Sequence, residues 1–278
     1  MLPDQRCRRT VVIPMHREAS RIARCVEELA ACALSDSDVQ LIFVDDGSDD
    51  ATVAVLHEAL RRSTLQAEVV LLGRNCGKGE AVRQGVLRAR GDAVCFTDVD
   101  LSAPTDEIVR CLDEIDLGAD VVVASRGHDA SLITTHQPQP RERAGKAFNR
   151  AVRALGLLDL PDTQCGLKAF RRDIALELFC DLQTRRFAFD VEILLRARLL
   201  SCDVRVVPVE WGHVGDSRVA PLRDGYQMLR DVARLRWRVR SLPTHRRTIV
   251  LPQARTGQHD RLERPRPRAA LAAPSVDA

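Results

Sequence analysis

The sequence predicts an α/β protein whose mostly parallel sheet is flanked by helices. Strand-length apolar runs alternate with helical patterns from residue 9 to residue 126. The strands, such as the one at 39–46, are largely apolar on both faces, which is typical of strands buried inside a parallel sheet. Helices between successive strands also favour parallel pairing, because each helix returns the chain to the same edge of the sheet.

Periodicity and turn signals justify each element of the first half. One face of the first predicted helix carries Ile22, Cys25, Val26, Leu29 and Ala33. The segment 47–50 supplies a turn and an N-cap for a second helix, which ends at Leu60, and Pro104 opens the fourth. The predicted strands are 9–14, 39–46, 67–73, 92–98 and 119–126, and the first, third and fourth helices are 20–34, 79–90 and 104–115.

The pattern becomes less regular after residue 126. A loop is predicted at 127–140, followed by a basic helix at 141–156 and a segment at 162–170 that has no assigned structure. Helices at 172–182 and 190–201, a strand at 204–211 and a basic helix from 221 to about 240 complete the prediction. The Pro-, Ala- and Arg-rich residues 243–278 are expected to be disordered.

Composition restricts the class of protein. The chain has 278 residues, 45% hydrophobic and 29% charged, which suits one large globular domain or two small ones. It contains no apolar run near 18 residues, and its first ten residues are too short and polar for a signal peptide. Nine cysteines, an odd number without a CxxC pair, indicate a reduced, cytoplasmic protein without disulfides or structural zinc.

The charge is unevenly distributed. The whole chain has a net charge of +3, but residues 221–278 alone carry 13 arginines against five acidic residues. Only this last fifth is basic, so the chain as a whole is not expected to bind nucleic acid. The helix within it, which interleaves apolar residues with arginines, could be an ordinary solvated helix or could lie on an anionic membrane surface.

Polar clusters follow the carboxyl ends of all five strands, where ligands bind in such sheets. Asp98 and Asp100 alternate after the fourth strand, so they could hold a divalent cation together or could be solvated loop acids. Asp46 follows the second strand. If Ser48 caps the next helix, Asp46 is free to accept a hydrogen bond from a base or ribose.

Two nucleotide-binding motifs are absent. The glycines at 73, 77 and 79 do not have phosphate-loop spacing, and no Ser or Thr follows Lys78. No GxGxxG follows the first strand, which argues against a nicotinamide dehydrogenase. Lys78 is one of only three lysines in an arginine-rich chain, so a local role is expected for it. None of the histidines considered has metal-ligand spacing.

Seven segments together resemble family 2 glycosyltransferases of the GT-A fold, over residues 10–240. They are VVIPxxxE (11–18), VDDGSDDAT (44–52), GRNCGKGEAVRQG (73–85), TDVDLSAP (97–104), SR (125–126), DTQCGLKAF (162–170) and FAFDVE (187–192). Within that family the chain is most similar to dolichyl-phosphate β-glucosyltransferases, with dolichyl-phosphate mannosyltransferases second. The resemblance implies a catalytic domain at 1–220. The basic helical pattern that follows it is assigned to an amphipathic helix at 221–242.

The resemblance implies a role for each matching donor-side residue. The positions around the nucleoside are Pro14, Glu18, Val44 and Asp46. The donor- and metal-binding motif is Asp98, Val99 and Asp100, which would hold Mg²⁺ or Mn²⁺. Lys78 and Arg126 match positions near the diphosphate or sugar. Three residues depart from the family pattern: Ser102 replaces a glutamine metal ligand of the mannosyltransferases, His16 replaces a common tyrosine, and Arg17 replaces a common asparagine.

The implied reaction is an inverting transfer of a hexose, with glucose favoured, to a polyprenyl or dolichyl phosphate at the cytoplasmic face of a membrane. UDP-glucose is the favoured donor and GDP-mannose the second. The residues assigned to the acceptor phosphate are Arg126, Arg141, Arg143 and Lys168. Asp190 is assigned as a catalytic base for a hydroxyl acceptor, as a residue that positions a cation, or as a helix N-cap. The alternatives are a soluble hydroxyl acceptor, a sugar-phosphate nucleotidyltransferase and a non-catalytic sugar-nucleotide binder.

Overall fold

The computed structural model describes residues 7–32, 34, 38–215 and 221–238. Its strands are β1 (Arg9–Met15), β2 (Val39–Asp45), β3 (Ala67–Leu71), β4 (Ala93–Phe96), β5 (Val121–Ser125), β6 (Leu132–Thr135), β7 (Lys168–Arg171), β8 (Val204–Pro208) and β9 (Glu210–Gly212). Its helices are α1 (Ile22–Ala30), α2 (Thr52–Arg62), α3 (Lys78–Val86), α4 (Thr105–Asp116), α5 (Gln139–Ala154), α6 (Arg172–Cys180), α7 (Phe189–Leu199) and α8 (Pro221–Arg238).

A seven-stranded sheet with the order β3-β2-β1-β4-β7-β5-β8 forms the centre of the molecule. Side chains of β1 alternate between two cores, because successive residues of a strand point to opposite faces. Val12 belongs to the core that α3, α6 and α7 cover, whereas Val11 and Ile13 belong to the core that α1 and α4 cover. The predicted fold class, a mostly parallel sheet flanked by helices, is therefore confirmed.

Strand β7 is the antiparallel member of this sheet. It lies between β4 and β5, and Ala169 pairs with Cys95 on one side and with Val122 on the other. No structure was predicted for the segment 162–170, which contains only the four strand residues of β7. Its insertion places the segment 162–167, which precedes it, beside the carboxyl ends of β4 and β5.

A second, two-stranded sheet was not predicted. β6 lies inside the predicted loop 127–140 and pairs in parallel with β9. The single strand predicted at 204–211 is divided at Val209, so that β8 extends the main sheet and β9 joins the small one. Trp211 in β9 is consequently buried next to the carboxyl end of β5.

Helix α8 extends the domain at its carboxyl-terminal end. Val232 is fully buried and Leu235 nearly so, whereas Tyr226 and Trp237 on the opposite face are exposed. The predictions for residues 239–242 and for a disordered tail at 243–278 lie outside the described residues. Among the helices that the structure describes, none combines the length and the apolarity needed to cross a bilayer.

Candidate active site

A cleft of about 1280 Å³ opens at the carboxyl ends of the parallel strands. Ten of the predicted site residues line it: Pro14, Glu18, Asp46, Lys78, Asp98, Val99, Asp100, Arg126, Arg141 and Asp190. Three predicted residues, Val44, Arg143 and Lys168, are not among the described residues that line the cleft. The fold therefore brings most of the predicted residues together from segments as distant as β1 and α7.

Asp98 and Asp100 lie where the chain leaves β4. The carboxylate of Asp98 packs directly against Gly166, because a Cβ atom at that glycine would lie only 2.1 Å from Asp98 Oδ2. Asp100 Oδ1 accepts a hydrogen bond from the backbone N–H of Ser102 at 3.0 Å. Burial, reinforced by the neighbouring Asp98 carboxylate, raises the pKa of Asp100. Two carboxylates in this position need a cation to offset their repulsion.

Lys78 provides a cation at the first turn of α3. Its Nζ lies 2.5 Å from Asp98 Oδ1. Burial alone would lower the pKa of Lys78, but the carboxylates of Asp98, Asp190 and Asp100 outweigh that effect and raise it. The helix begins after Gly77, which has a φ of +104° and no space for a side chain, because a Cβ there would lie 2.5 Å from the Arg185 carbonyl oxygen.

Asp46 holds the glycine-rich loop in front of α3. Its carboxylate accepts the backbone N–H groups of Cys76 at 2.6 Å and of Gly77 at 2.8 Å. The expectation that Ser48 caps α2 and leaves Asp46 free is wrong. Ser48 Oγ donates to Asp45 Oδ1 at 2.5 Å, and α2 begins only at Thr52 without a side-chain cap. Burial raises the pKa of Asp46 despite these hydrogen bonds.

The end of the cleft at β1 carries two of the three residues that depart from the family pattern, His16 and Arg17. His16 lines the cleft, and its buried Nδ1 has no hydrogen-bond partner among the described residues. Arg17 Nε donates to Asp49 Oδ1 at 2.6 Å, and the Glu18 carboxylate pairs with Arg21 at 2.7 Å. Val44, predicted near the nucleoside, is fully buried in the hydrophobic core, so its side chain does not reach the cleft.

Arg126 is held in place by a residue that the sequence analysis left without a role. Its guanidinium donates to both oxygens of Asp162, at 2.7 and 2.9 Å, and lies 5.4 Å from the centre of the Trp211 ring. Burial would raise the pKa of Asp162, but Arg126 outweighs this and lowers it to about 2. Asp162 opens the DTQCG segment, so the only signal for it was its place in that motif.

Lys168 and Asp190 form a buried ion pair beneath the cleft. Lys168 is fully buried, and its Nζ donates to Asp190 Oδ1 and to the Cys165 carbonyl, both at 2.7 Å. The assignment of Lys168 to the acceptor phosphate is therefore wrong, because its ammonium group is fully buried and already pairs with Asp190 and the Cys165 carbonyl. Asp190 is also not an N-cap, since it lies within α7. Burial raises its pKa, although both lysines oppose the effect.

The two arginines of α5 differ in what they can contact. Arg141 lines the cleft, and no carboxylate of the described residues lies within ion-pair distance of its side chain. Burial and the nearby Arg126 lower the pKa of Arg141. Arg143 is exposed and reaches Gln139 Oε1 at 3.5 Å. Arg141 is thus placed to bind an anion in the cleft, whereas Arg143 is directed away from it.

A divalent cation fits this site only if the protein and the substrate coordinate it together. The described residues contain no group of three or more His, Cys, Asp or Glu side chains that could hold a metal. Asp98 and Asp100 supply two carboxylates, and Mg²⁺ in proteins is commonly bound by one or two carboxylates together with substrate phosphates and water. The donor set therefore suits a cation that is completed by a diphosphate.

Comparison with known proteins identifies the family. The model of the family described as glycosyl transferase family 2 matches residues 10–179. A dolichyl-phosphate β-glucosyltransferase from Drosophila melanogaster is 32% identical, with 80% of this chain and 72% of the relative aligned. A dolichyl-phosphate β-glucosyltransferase from Dictyostelium discoideum is 29% identical, with 82% and 74% aligned.

A solved structure supports the fold. Glucosyl-3-phosphoglycerate synthase from Mycobacterium tuberculosis, in complex with Mn²⁺, UDP-glucose and phosphoglyceric acid, superposes with a TM-score of 0.62. The two chains are 22% identical, and the match covers 85% of this chain and 80% of the other. Since the family model matches more than half of the chain, the protein belongs to glycosyl transferase family 2 and is a glycosyltransferase.

Proposed function

We propose that the protein transfers glucose from UDP-glucose to a polyprenyl phosphate such as dolichyl phosphate, with inversion at the anomeric carbon. One observation carries this proposal. The cleft has two carboxylates, Asp98 and Asp100, and basic residues that include Arg141, which has no ion-pair partner among the described residues, in a chain whose relatives are dolichyl-phosphate β-glucosyltransferases. The carboxylates suit a cation and a diphosphate, and the basic residues suit a phosphate acceptor.

On the donor side, Asp98 and Asp100 would hold Mg²⁺ or Mn²⁺ with the diphosphate, and the bound cation would offset the charge of the departing nucleotide. The M. tuberculosis synthase, solved with Mn²⁺ and UDP-glucose, supports this choice of donor and metal. Lys78 lies beside the same carboxylates and would contact the diphosphate. Asp46 would act indirectly, because it fixes the loop that positions Lys78.

On the acceptor side, a phosphate is already anionic near pH 7 and needs little help from a general base. Arg141 would bind the negative charge of the acceptor phosphate. Arg126, which Asp162 holds in place, would donate a second hydrogen bond to that phosphate. The buried pairing of Asp190 with Lys168 supports a positioning role for Asp190 rather than proton abstraction. A soluble hydroxyl acceptor would require such a base, so this arrangement favours the phosphate acceptor.

Helix α8 suits contact with the membrane that contains such a lipid. Tyr226, Leu229 and Trp237 are exposed on one face, with side chains 72%, 45% and 86% accessible. Arginines at 230, 234, 236 and 238 flank them. Aromatic side chains and arginines are the groups that favour an anionic bilayer surface. We therefore place the protein at the cytoplasmic face of a membrane as a peripheral enzyme.

The proposal is tested by incubating the protein with labelled UDP-glucose, Mn²⁺ and a polyprenyl phosphate and then extracting the lipid. Labelled glucosyl lipid is the expected product, and GDP-mannose should be a poorer donor. The Asp100→Ala variant should lose turnover by a factor of about 10³ while it keeps its melting temperature. Pyrophosphate exchange instead would identify a nucleotidyltransferase, and sugar-nucleotide binding without turnover would identify a non-catalytic binder.

Membrane contact is tested separately by co-sedimentation with vesicles. The protein should bind anionic vesicles at low salt, and high salt should release it, because each arginine near the surface contributes on the order of 1 kcal/mol that salt screens. The Tyr226→Ser/Trp237→Ser double variant should bind weakly. Substitution of the exposed Lys146 by Ser, on a different helix, serves as the control. Equal binding by all three proteins would contradict a role for α8.

A further inference from the structure

A second cavity, of about 360 Å³, lies outside the catalytic cleft, between α8 and the loop that joins α6 to α7. Four of the described residues that line it are arginines, and one is acidic, so the lining has a net charge of +3. The arginines are Arg185, Arg186, Arg234 and Arg238, and the acid is Asp231. The volume is at the lower end of the roughly 300–1000 Å³ that is common for small-molecule sites. The cavity therefore has the charge and the size that suit a small anion.

One wall of the second cavity is the loop between α6 and α7, whose backbone is fixed by buried groups. The carboxylate of Glu192, which is fully buried, accepts the backbone N–H groups of Gln183 at 3.0 Å and of Thr184 at 2.7 Å. The Arg185 carbonyl accepts the backbone N–H of Glu80, in the first turn of α3, at 3.0 Å. Both arginines of this loop therefore extend from a backbone that is already ordered, which lowers the entropy lost when a ligand binds.

The other wall is one face of α8. Gln227, Asp231, Arg234 and Arg238 follow one another at three- and four-residue intervals, so they share one side of the helix. The exposed Trp237 is three residues from Arg234 and therefore neighbours it on the helix surface. The basic wall of the cavity is thus adjacent to the face of α8 that we assign to membrane contact.

The acidic groups near these arginines do not form hydrogen bonds with them. Arg185 Nε lies 3.9 Å from Glu80 Oε2, and Arg234 Nη1 lies 3.6 Å from Asp231 Oδ1. Both distances exceed the 2.7–3.2 Å or so that is typical of an N–H···O hydrogen bond. The guanidinium N–H groups of these two arginines, one on each wall, therefore remain available to a ligand in the cavity.

We infer that the second cavity binds a phosphate group, which the arginines of both walls hold outside the catalytic cleft. The planar guanidinium group of arginine donates two parallel hydrogen bonds to phosphate oxygens, and phosphate has enough oxygens for several arginines at once. Two sources share this chemistry: free inorganic phosphate, and the headgroup of an acidic phospholipid in the membrane beside Trp237. The inference does not depend on the donor or the acceptor of the proposed glucosyl transfer.

The first test is calorimetric titration of the full chain with inorganic phosphate. Arg234→Gln/Arg238→Gln should raise the Kd by about tenfold or more, because each arginine contributes charge-assisted hydrogen bonds. Both residues are exposed, so the variant should keep its melting temperature. Arg230→Gln/Arg236→Gln is the matched control. It removes the same charge from the same helix at positions that are not among the described residues lining the cavity, and its Kd should stay within about twofold of the wild type.

A variant of the opposite wall gives an independent measurement. Arg185→Gln should raise the Kd for phosphate by about fivefold. Arg186 is left unchanged, because it also lines the catalytic cleft. Phosphate bound in that cleft would contribute equally to all these proteins, since none of the substituted residues is among those described as lining it. A wild-type Kd for Arg185→Gln would overturn the inference, because the loop would then take no part in binding.

Vesicles that contain phosphatidic acid distinguish the two sources. If the ligand is a lipid headgroup, Arg234→Gln/Arg238→Gln should bind these vesicles several-fold more weakly than Arg230→Gln/Arg236→Gln, and free phosphate should displace the wild type from them. If the ligand is free phosphate, the two double variants should bind the vesicles equally although they differ in the titration. Equal behaviour of the two double variants in both measurements would overturn the inference, because only the general charge of α8 would then matter. Neither measurement involves glucosyl transfer, so the result is independent of the proposed function.

Discussion

Two lysine–aspartate pairs, one in the cleft and one beneath it, have similar geometry and different surroundings. The Nζ–Oδ1 distance is 2.5 Å for Lys78–Asp98 and 2.7 Å for Lys168–Asp190. The Lys78 and Asp98 side chains are 21% and 40% accessible, whereas those of Lys168 and Asp190 are 0% and 6%. A buried pair is expensive to break, because the remaining charge has no solvent, while an open pair can exchange its partner for a ligand.

The same distinction orders four of the cations that lie in or under the cleft. Lys168 and Arg126 have carboxylate partners that are almost completely buried, and both therefore stabilise the site. Lys78 has a partner that a ligand can reach, and Arg141 has none among the described residues. The cations that stabilise the site therefore have buried carboxylate partners. The cations proposed to bind the substrates have an accessible partner or none among the described residues.

The largest effect is expected for the buried pair. Lys168→Met leaves the buried carboxyl of Asp190 without its nearest partner, which should lower the free energy of unfolding by about 3–5 kcal/mol. Urea unfolding followed by circular dichroism measures this loss. Lys146→Met is the matched control, because Lys146 forms an exposed pair with Glu142 at 2.6 Å and should change stability by less than about 1 kcal/mol.

A double variant sharpens the interpretation of this pair. Lys168→Met/Asp190→Leu removes both charges, so it should recover much of the lost stability while activity stays low. Equal stability of Lys168→Met and the wild type would mean that the pair is not desolvated, and the contrast with Lys78–Asp98 would be wrong.

A smaller effect on stability is expected from Asp162 as the pH falls. Its pKa in the folded protein is lowered to about 2, so the pair with Arg126 contributes fully above about pH 4 and is lost between about pH 4 and pH 2. The contribution is on the order of 2 kcal/mol. Asp162→Asn should remove this part of the pH dependence in urea titrations. Asp49→Asn, in the exposed pair with Arg17, should leave it in place.

The sequence was most informative about which edge of the sheet carries the site. Asp98, Asp100 and Lys78 follow the carboxyl ends of parallel strands, so the fold class places them at one edge of the sheet. Because β1 and β2 lie between β3 and β4, the contact of Lys78 with Asp98 depends also on the loop that Asp46 holds. The seven motifs also placed Arg126 and Asp190 near the site, and the structure brings both to the cleft.

The acceptor side was less predictable because it depends on long-range pairing. The ion pair of Arg126 with Asp162 spans 36 positions, and that of Lys168 with Asp190 spans 22. β7 has four strand residues and begins with a lysine, a residue type that is almost never fully buried without a partner. The sequence does not show that Asp190 lies opposite Lys168. It therefore could not distinguish Lys168 from a lysine that faces the ligand.

The next effect concerns the acceptor alone. Arg141→Gln removes from the cleft a guanidinium that has no carboxylate partner in the described part of the chain. It should raise the KM for a prenyl phosphate by about 10- to 30-fold, which is the value of a charge-assisted hydrogen bond. The KM for UDP-glucose should change little. Arg143→Gln, two residues along the same helix but directed to solvent, should resemble the wild type. Similar losses in both variants would indicate a general effect of charge on α5.

The smallest effect is expected at the open pair. In the protein without nucleotide, the Lys78 ammonium occupies an oxygen of Asp98 that a metal would also use. Lys78→Gln should therefore bind Mn²⁺ alone about 3- to 10-fold more tightly, which corresponds to roughly 1 kcal/mol for a pair that solvent partly screens. Electron paramagnetic resonance of free Mn²⁺ measures this binding without any turnover. Lys78→Arg keeps the charge and should resemble the wild type.

The same Lys78→Gln variant should bind UDP-glucose more weakly in the presence of Mn²⁺, because the diphosphate loses a cation. Tighter binding of Mn²⁺ together with weaker binding of UDP-glucose is the result expected if Lys78 exchanges Asp98 for the diphosphate. Weaker Mn²⁺ binding by Lys78→Gln in the absence of nucleotide would instead mean that the lysine supports the metal site throughout.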